Sequence, residues 1–268
     1  MARLFRRIPV LNQRGSILAF ALVPLLLLSL TPRAGASEQT SSTKYSGTFW
    51  QVRANGQVYG DHLFGSMAGH HLNQPIVGMA PTSDSRGYWL VASDGGVFGF
   101  GSAPFFGSMA GQHLNQPIVG ITPTPDGGGY WLVASDGGVF GFGDASFHGS
   151  MAGTKLDGPI VGIAATSSGN GYWLDGSDGG VFAFGSATFF GSVAEPLGAH
   201  DVVGPLVPTP DQQGYWLASS SNIGPLGWGF GDAVGCWGNG GVVPGTKLPT
   251  PYVGAAIDEL PEPAVCAT

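Results

Sequence analysis

Residues 87–128 read GYWLVASDGGVFGFGSAPFFGSMAGQHLNQPIVGITPTPDGG, and residues 129–170 repeat them with few changes (GYWLVASDGGVFGFGDASFHGSMAGTKLDGPIVGIAATSSGN). Worn copies begin at Gly171 (GYWLDGSDGGVFAFG) and Gly214 (GYWLASSSNIGPLGWGFGDA), and a shortened one precedes them at residues 49–60 (FWQVRANGQVYG). Trp50, Trp89, Trp131, Trp173 and Trp216 stand 39, 42, 42 and 43 residues apart. A fixed period of this length means that one supersecondary unit is stacked several times, since a single unit cannot bury its apolar face alone.

The unit reads as strands. No ten-residue stretch in it holds a helical period free of Gly and Pro, whereas short β-prone runs alternate with turn signals. Residues 88–92 (YWLVA) predict one strand, Ser93-Asp94-Gly95-Gly96 a tight hairpin turn, and residues 97–100 (VFGF) the return strand. Residues 105–109 (FFGSM) predict a short outer strand, and residues 118–122 (IVGIT) a further apolar one. Three or four antiparallel strands in about 42 residues match one blade of a β-propeller.

Counting strands at the two ends predicts how the stack closes. IVG-type strands are expected at residues 76–80, 118–122, 160–164, 202–206 and 252–256, sharing Gly78, Gly120, Gly162, Gly204 and Gly254. The first YW-type strand (49–52) has no IVG-type strand before it, and the last IVG-type strand has no YW-type strand after it. Joining these two orphans gives an all-β, five-bladed propeller over residues 47–268, its ring closed by the C-terminal strand and its open edges removed.

The motifs GYWLVASDGGVFGFG, FFGSMAG and PIVGI resemble the GYWLVASDGG-type repeats of secreted actinobacterial proteins, over residues 47–258. More distantly the layout resembles the regulator-of-chromosome-condensation and tectonin propellers. The resemblance implies a propeller used for recognition and is nearly silent on activity.

Residues 1–36 predict an export signal: Arg3, Arg6, Arg7 and Arg14, then a 14-residue apolar run (17–30) interrupted by Pro24, then Ala34-Gly35-Ala36. The run falls short of the roughly 20 residues that cross a membrane, and the pattern predicts cleavage before Ser37. Residues 14–28 also resemble the start of Tad-type pilus-assembly proteins, but the glutamate that family carries after the glycine is absent here; retention as a membrane anchor is the alternative. Residues 37–46 read as a polar tether. Beyond the leader, five basic residues face all 17 acidic ones, a net charge of −12. That sign excludes nucleic acid, which needs a basic footprint. Cys236 and Cys266, in an exported chain, are expected to pair as a disulfide near the point of ring closure. The expected product is a secreted or envelope-associated monomer.

The tryptophans, mid-strand beside Tyr, Leu or Val, are expected in the core between blades rather than as sugar platforms. Asp94, Asp136 and Asp178, with Asn55 in the first copy, are explained by turn chemistry; one acid per hairpin is too few for calcium. Of six histidines only His71 and His113 match between copies, so no metal and no cofactor are expected. Glycoside hydrolysis needs a pair of carboxylates, and the IVG-type strands carry none, which disfavours a hydrolase. What remains is the loop ahead of each IVG-type strand: residues 70–75, 112–117, 154–159, 197–201 and 245–251. Loops on a rigid scaffold are where recognition usually lives. Candidate contacts are His71, Asn73, His113, Asn115, Lys155 and Asp157, for a glycan or an envelope protein; the alternatives are a scaffold propeller without a small ligand and the disfavoured hydrolase.

Overall fold

The computed structural model describes residues 49–193, 203–221, 224–231 and 252–257. The leader, the tether, Cys236, Cys266 and the loops 197–201 and 245–251 lie outside the described residues. Within them the chain forms β1 (Phe49–Arg53), β2 (Val58–Gly60), β3 (Ile76–Pro81), β4 (Gly87–Ala92), β5 (Val97–Gly101), β6 (Ile118–Pro123), β7 (Gly129–Ala134) and β8 (Val139–Gly143). There follow β9 (Ile160–Ala165), β10 (Gly171–Gly176), β11 (Val181–Gly185), β12 (Val203–Pro208), β13 (Gly214–Ser221), β14 (Gly224–Gly231) and β15 (Tyr252–Ile257).

These strands make three-stranded antiparallel sheets, β3-β4-β5, β6-β7-β8, β9-β10-β11 and β12-β13-β14, each an IVG-type strand, a YW-type strand and its hairpin return. The remaining sheet, β15-β1-β2, joins the first and last of the described strands, with Trp50 opposite Ala256 and Val52 opposite Gly254. The IVG-type strands lie in series, β15 beside β3, β3 beside β6, β6 beside β9 and β9 beside β12. Small antiparallel sheets stacked through their first strands are the arrangement of a β-propeller.

The hairpin turn needs its glycine twice. Gly95 has φ +79°, and a Cβ placed on it would come 2.5 Å from the Cβ of Met109. Asp94 Oδ1 accepts the Gly96 N–H at 3.0 Å, with the same bond at Asp136 and Asp178 and its counterpart from Gln57 to Asn55. The Asp-Gly residues thus serve the turn.

Strands β4, β7 and β10 are buried on both faces, which is why a YW-type strand reads as a near-continuous apolar run. Tyr88, Leu90 and Ala92 pack back onto Trp50, Val52 and Ile76, while Trp89 and Val91 pack forward onto Tyr130, Leu132 and Ile118. The indole has room because its cross-strand neighbours are small: Gly99 and Ala80 flank Trp89, and Ala183 and Ala164 flank Trp173. Trp50, Trp89, Trp131 and Trp173 each meet the tyrosine of the next sheet, at ring-centroid distances of 5.6, 5.7, 5.6 and 6.1 Å. They form the core between sheets, as their position in the strand predicts.

Two expectations need correction. Residues 105–109 form no strand. They leave the outer strand of one sheet and cross to the next, where Phe106 packs on Tyr130 and Gly107 leaves no room for a side chain against Phe142. The backbone groups that a ladder would use go instead to Tyr130 and to the hairpin. The fourth IVG-type strand is also displaced. Leu206 pairs with Leu217 as Ile121 pairs with Leu132, so Pro205, not Gly204, stands where Gly120 stands, and β12 starts at Val203. Gly78, Gly120 and Gly162 do serve close approach, to the paired strand: a Cβ on them would lie 3.0 Å from Val91, 3.2 Å from Val133 and 2.5 Å from Asp175.

Candidate functional site

Register decides which groups gather at one end of a sheet. Because Ile76 lies opposite Ala92, the loop that feeds β3 meets the β4–β5 hairpin. Ser93 N donates to Pro75 O at 3.0 Å, and Ser93 O accepts from Ile118 N of the next sheet at 2.9 Å. The segment after β5 returns to the same place, where Met109 N donates to Gly95 O at 3.0 Å. Loop, hairpin and this connecting strap enclose a shallow cleft of about 260 Å³ lined by His71, Asn73, Gln74, Asp94, Phe105 and Ser108 among others. The next sheet repeats it in about 350 Å³ with His113, Asn115, Gln116, Asp136, Phe147 and Ser150. Both volumes sit near the small end of ligand sites, ~300–1,000 Å³.

The predicted contacts His71 and Asn73 thus share one cleft, and His113 and Asn115 share its copy. Lys155 and Asp157 are exposed at the corresponding place ahead of β9. The sequence reading missed the ring in each cleft. Phe105 and Phe147 are each 64% exposed and Phe189 is 55% exposed, all at one position of the repeat, with Leu63 at 56% in the shortened first copy.

Those rings are held from both sides by buried residues. Trp89 Nε1 donates to Pro104 O at 2.7 Å, immediately before Phe105, and Tyr130 Oη accepts from Phe106 N at 3.3 Å, immediately after it. Trp131 and Tyr172 flank Phe147 in the same way, through Ser146 O at 2.7 Å and His148 N at 3.1 Å. Trp173 and Tyr215 flank Phe189 through Thr188 O at 2.7 Å and Phe190 N at 3.2 Å. Each tyrosine hydroxyl also donates to the carbonyl one residue further on, as Tyr130 does to Gly107 O at 2.6 Å. Burial raises the pKa of these hydroxyls above the ordinary 10, so they stay protonated donors. In the first copy, three residues shorter, Trp50 Nε1 is buried without a partner. Replacing Tyr130 with phenylalanine is expected to lower stability by about 1–2 kcal/mol, read as an earlier midpoint in urea, because two part-buried backbone groups lose their partner.

The opposite ends of the sheets hold a different polar cluster. Asp84 Oδ1 accepts from Thr82 and Ser102, both at 2.7 Å, and these bonds with the Arg86 amide hold its carboxyl at a pKa of about 2. Asp126 is lowered in the same way, first by Thr124. These bonds close the turns before β4 and β7. One further acid lies inside: Asp175, on β10, is fully buried between sheets, where β4 and β7 carry Val91 and Val133. Burial raises its pKa to about 7, and the Leu206 amide offsets this only in part. Neither carboxyl oxygen has a well-formed hydrogen bond. With 0% exposure Asp175 meets no substrate, so it does not supply the accessible acid that glycoside hydrolysis needs. Among the described residues no three His, Cys, Asp or Glu side chains converge as metal ligands.

No protein-family profile and no curated protein matches the chain. Among solved structures it is similar to the crystal structure of the Myceliophteria thermophila Cps50 (Swd1) beta-propeller domain, at 10% identity and a TM-score of 0.43. The match covers 66% of this chain and 63% of that one, and at this level it carries nothing about function. The propeller architecture rests on the strand pairing.

Proposed function

We propose that the chain is an exported, non-catalytic recognition module, a five-bladed propeller closed by β15 that binds glycan or protein at the cell envelope. The observation that carries this reading is the recurrence of one cleft, built from the same repeat positions, at the same end of successive sheets. A catalytic centre is made once; a shallow site made repeatedly, on a backbone pinned by buried hydrogen bonds, gains strength by multivalency. The pairing of β15 with β1 supports ring closure, and the GYWLVASDGG-type resemblance supports a recognition role outside the cell.

The reading is tested by a glycan array and an envelope pull-down with the wild-type chain and with alanine at His71, Asn73, His113, Asn115, Lys155 and Asp157. Binding that the alanines weaken is the expected result; no binding, or binding that survives all six changes, overturns it. Mass spectrometry of the exported form is expected to find Ser37 as the first residue, and non-reducing peptide mapping a Cys236–Cys266 bridge.

A further inference from the structure

Resting on that reading, we propose that each cleft is a saccharide subsite, with Phe105, Phe147 and Phe189 as stacking platforms for a neutral, β-1,4-linked, gluco-configured glycan.

The chemistry of the cleft selects the ligand class. An exposed phenyl face is flat and apolar, and uncharged or acidic groups stand around two of the rings, Asn73, Gln74 and Asp94 around Phe105 and Asn115, Gln116 and Asp136 around Phe147, with one histidine each; the corresponding repeat positions for Phe189 carry Lys155, Asp157 and Asp178. A pyranose with equatorial hydroxyls offers the complement, a C–H face for the ring and O–H donors at its edge for amide and carboxylate oxygens. Hydrogen bonds to a carboxylate are the stronger kind. Phosphates, sulfates and uronic acids are turned away by the same carboxylates and by the net charge of the exported chain. A β-1,4 linkage is equatorial at both ends of each ring, so it leaves the C–H face open to the phenyl.

The rings are also preorganised. A large apolar side chain left in water brings the fold no stability, yet three recur at one repeat position, each with its neighbouring backbone fixed by a buried Trp and a buried Tyr. Fixing the strap beforehand removes an ordering cost that binding would otherwise carry. In the first copy the indole bond is missing and Leu63 replaces the ring, so that copy is not a subsite.

The test is calorimetric titration of chitohexaose and cellohexaose into the full chain, alongside F105A, F147A, F189A and the triple variant, with D94N/D136N as a second set. Asparagine keeps the Oδ1 acceptor that closes the turn, so this set leaves the hairpin intact. Each single Phe change is expected to weaken binding about 3- to 10-fold. The triple change is expected to weaken it about 100-fold or more, with unfolding midpoints unchanged. Saccharide binding that all these variants retain overturns the subsite assignment. Failure of both saccharides, with a protein captured from the envelope through the same loops, overturns it too and leaves the recognition reading standing; failure of every ligand removes both.

Discussion

Replacing Asp175 with valine is expected to stabilise the chain by roughly 2–4 kcal/mol at pH 8. Valine fills this position in two sister strands against the same glycine of the neighbouring strand, so the shape is already proven. The direction with pH follows from linkage. The folded state holds the Asp175 proton up to a pKa of about 7, against an ordinary 3.8 when unfolded. Both states are protonated below pH 4; between pH 4 and 7 only the unfolded state releases its proton, and stability falls by about 1.4 kcal/mol for each pH unit. Above pH 7 the loss is complete. Asp84 works in the opposite sense, its contribution present above pH 4 and lost as the pH falls toward 2. Urea unfolding of wild type, D175N and D175V at pH 5 and pH 8 separates the two. The wild type should lose stability relative to D175N on going to pH 8. Equal changes in wild type and D175N would mean that Asp175 has a partner for its charge.

Replacing Trp131 with alanine is expected to destabilise by about 3–5 kcal/mol. Trp131 is fully buried, packs on Tyr172 and holds Ser146 O, so the change leaves a cavity between sheets and orphans a carbonyl. Phe147, one residue beyond that carbonyl, is 64% exposed, and F147A should fall within about 0.5 kcal/mol of wild type. The pair separates scaffold from site. If Phe147→Ala destabilised as much as Trp131→Ala, the exposed ring would be part of the core and not a platform.

The repeat made the sheets legible because its punctuation is chemical: Asp-Gly at each hairpin, and a small residue opposite each indole. The tryptophans were placed by the bulk that a strand buried on both faces requires. The rim was harder to read. The doublet Phe105-Phe106 reads as strand bulk, and only the crossing of the strap to the next sheet shows that Phe106 turns inward onto Tyr130 while Phe105 faces water. Matching the glycine of VVGPL to that of IVGIT put β12 one residue early; the Trp216–Leu217 pair sets the true register. Asp175 stands out as the acid in YWLDG, where two sister strands read YWLVA, but its consequence depends on β10 lying between two sheets.

Hydrogen exchange of the full chain with and without saturating chitohexaose reads where the ligand sits. Slowed exchange is predicted at the hairpin ends, in residues 93–96 and 105–116 and their counterparts 135–138 and 147–158. Protection confined to the turns at residues 82–87 and 124–129, or none at all, would contradict the subsite assignment.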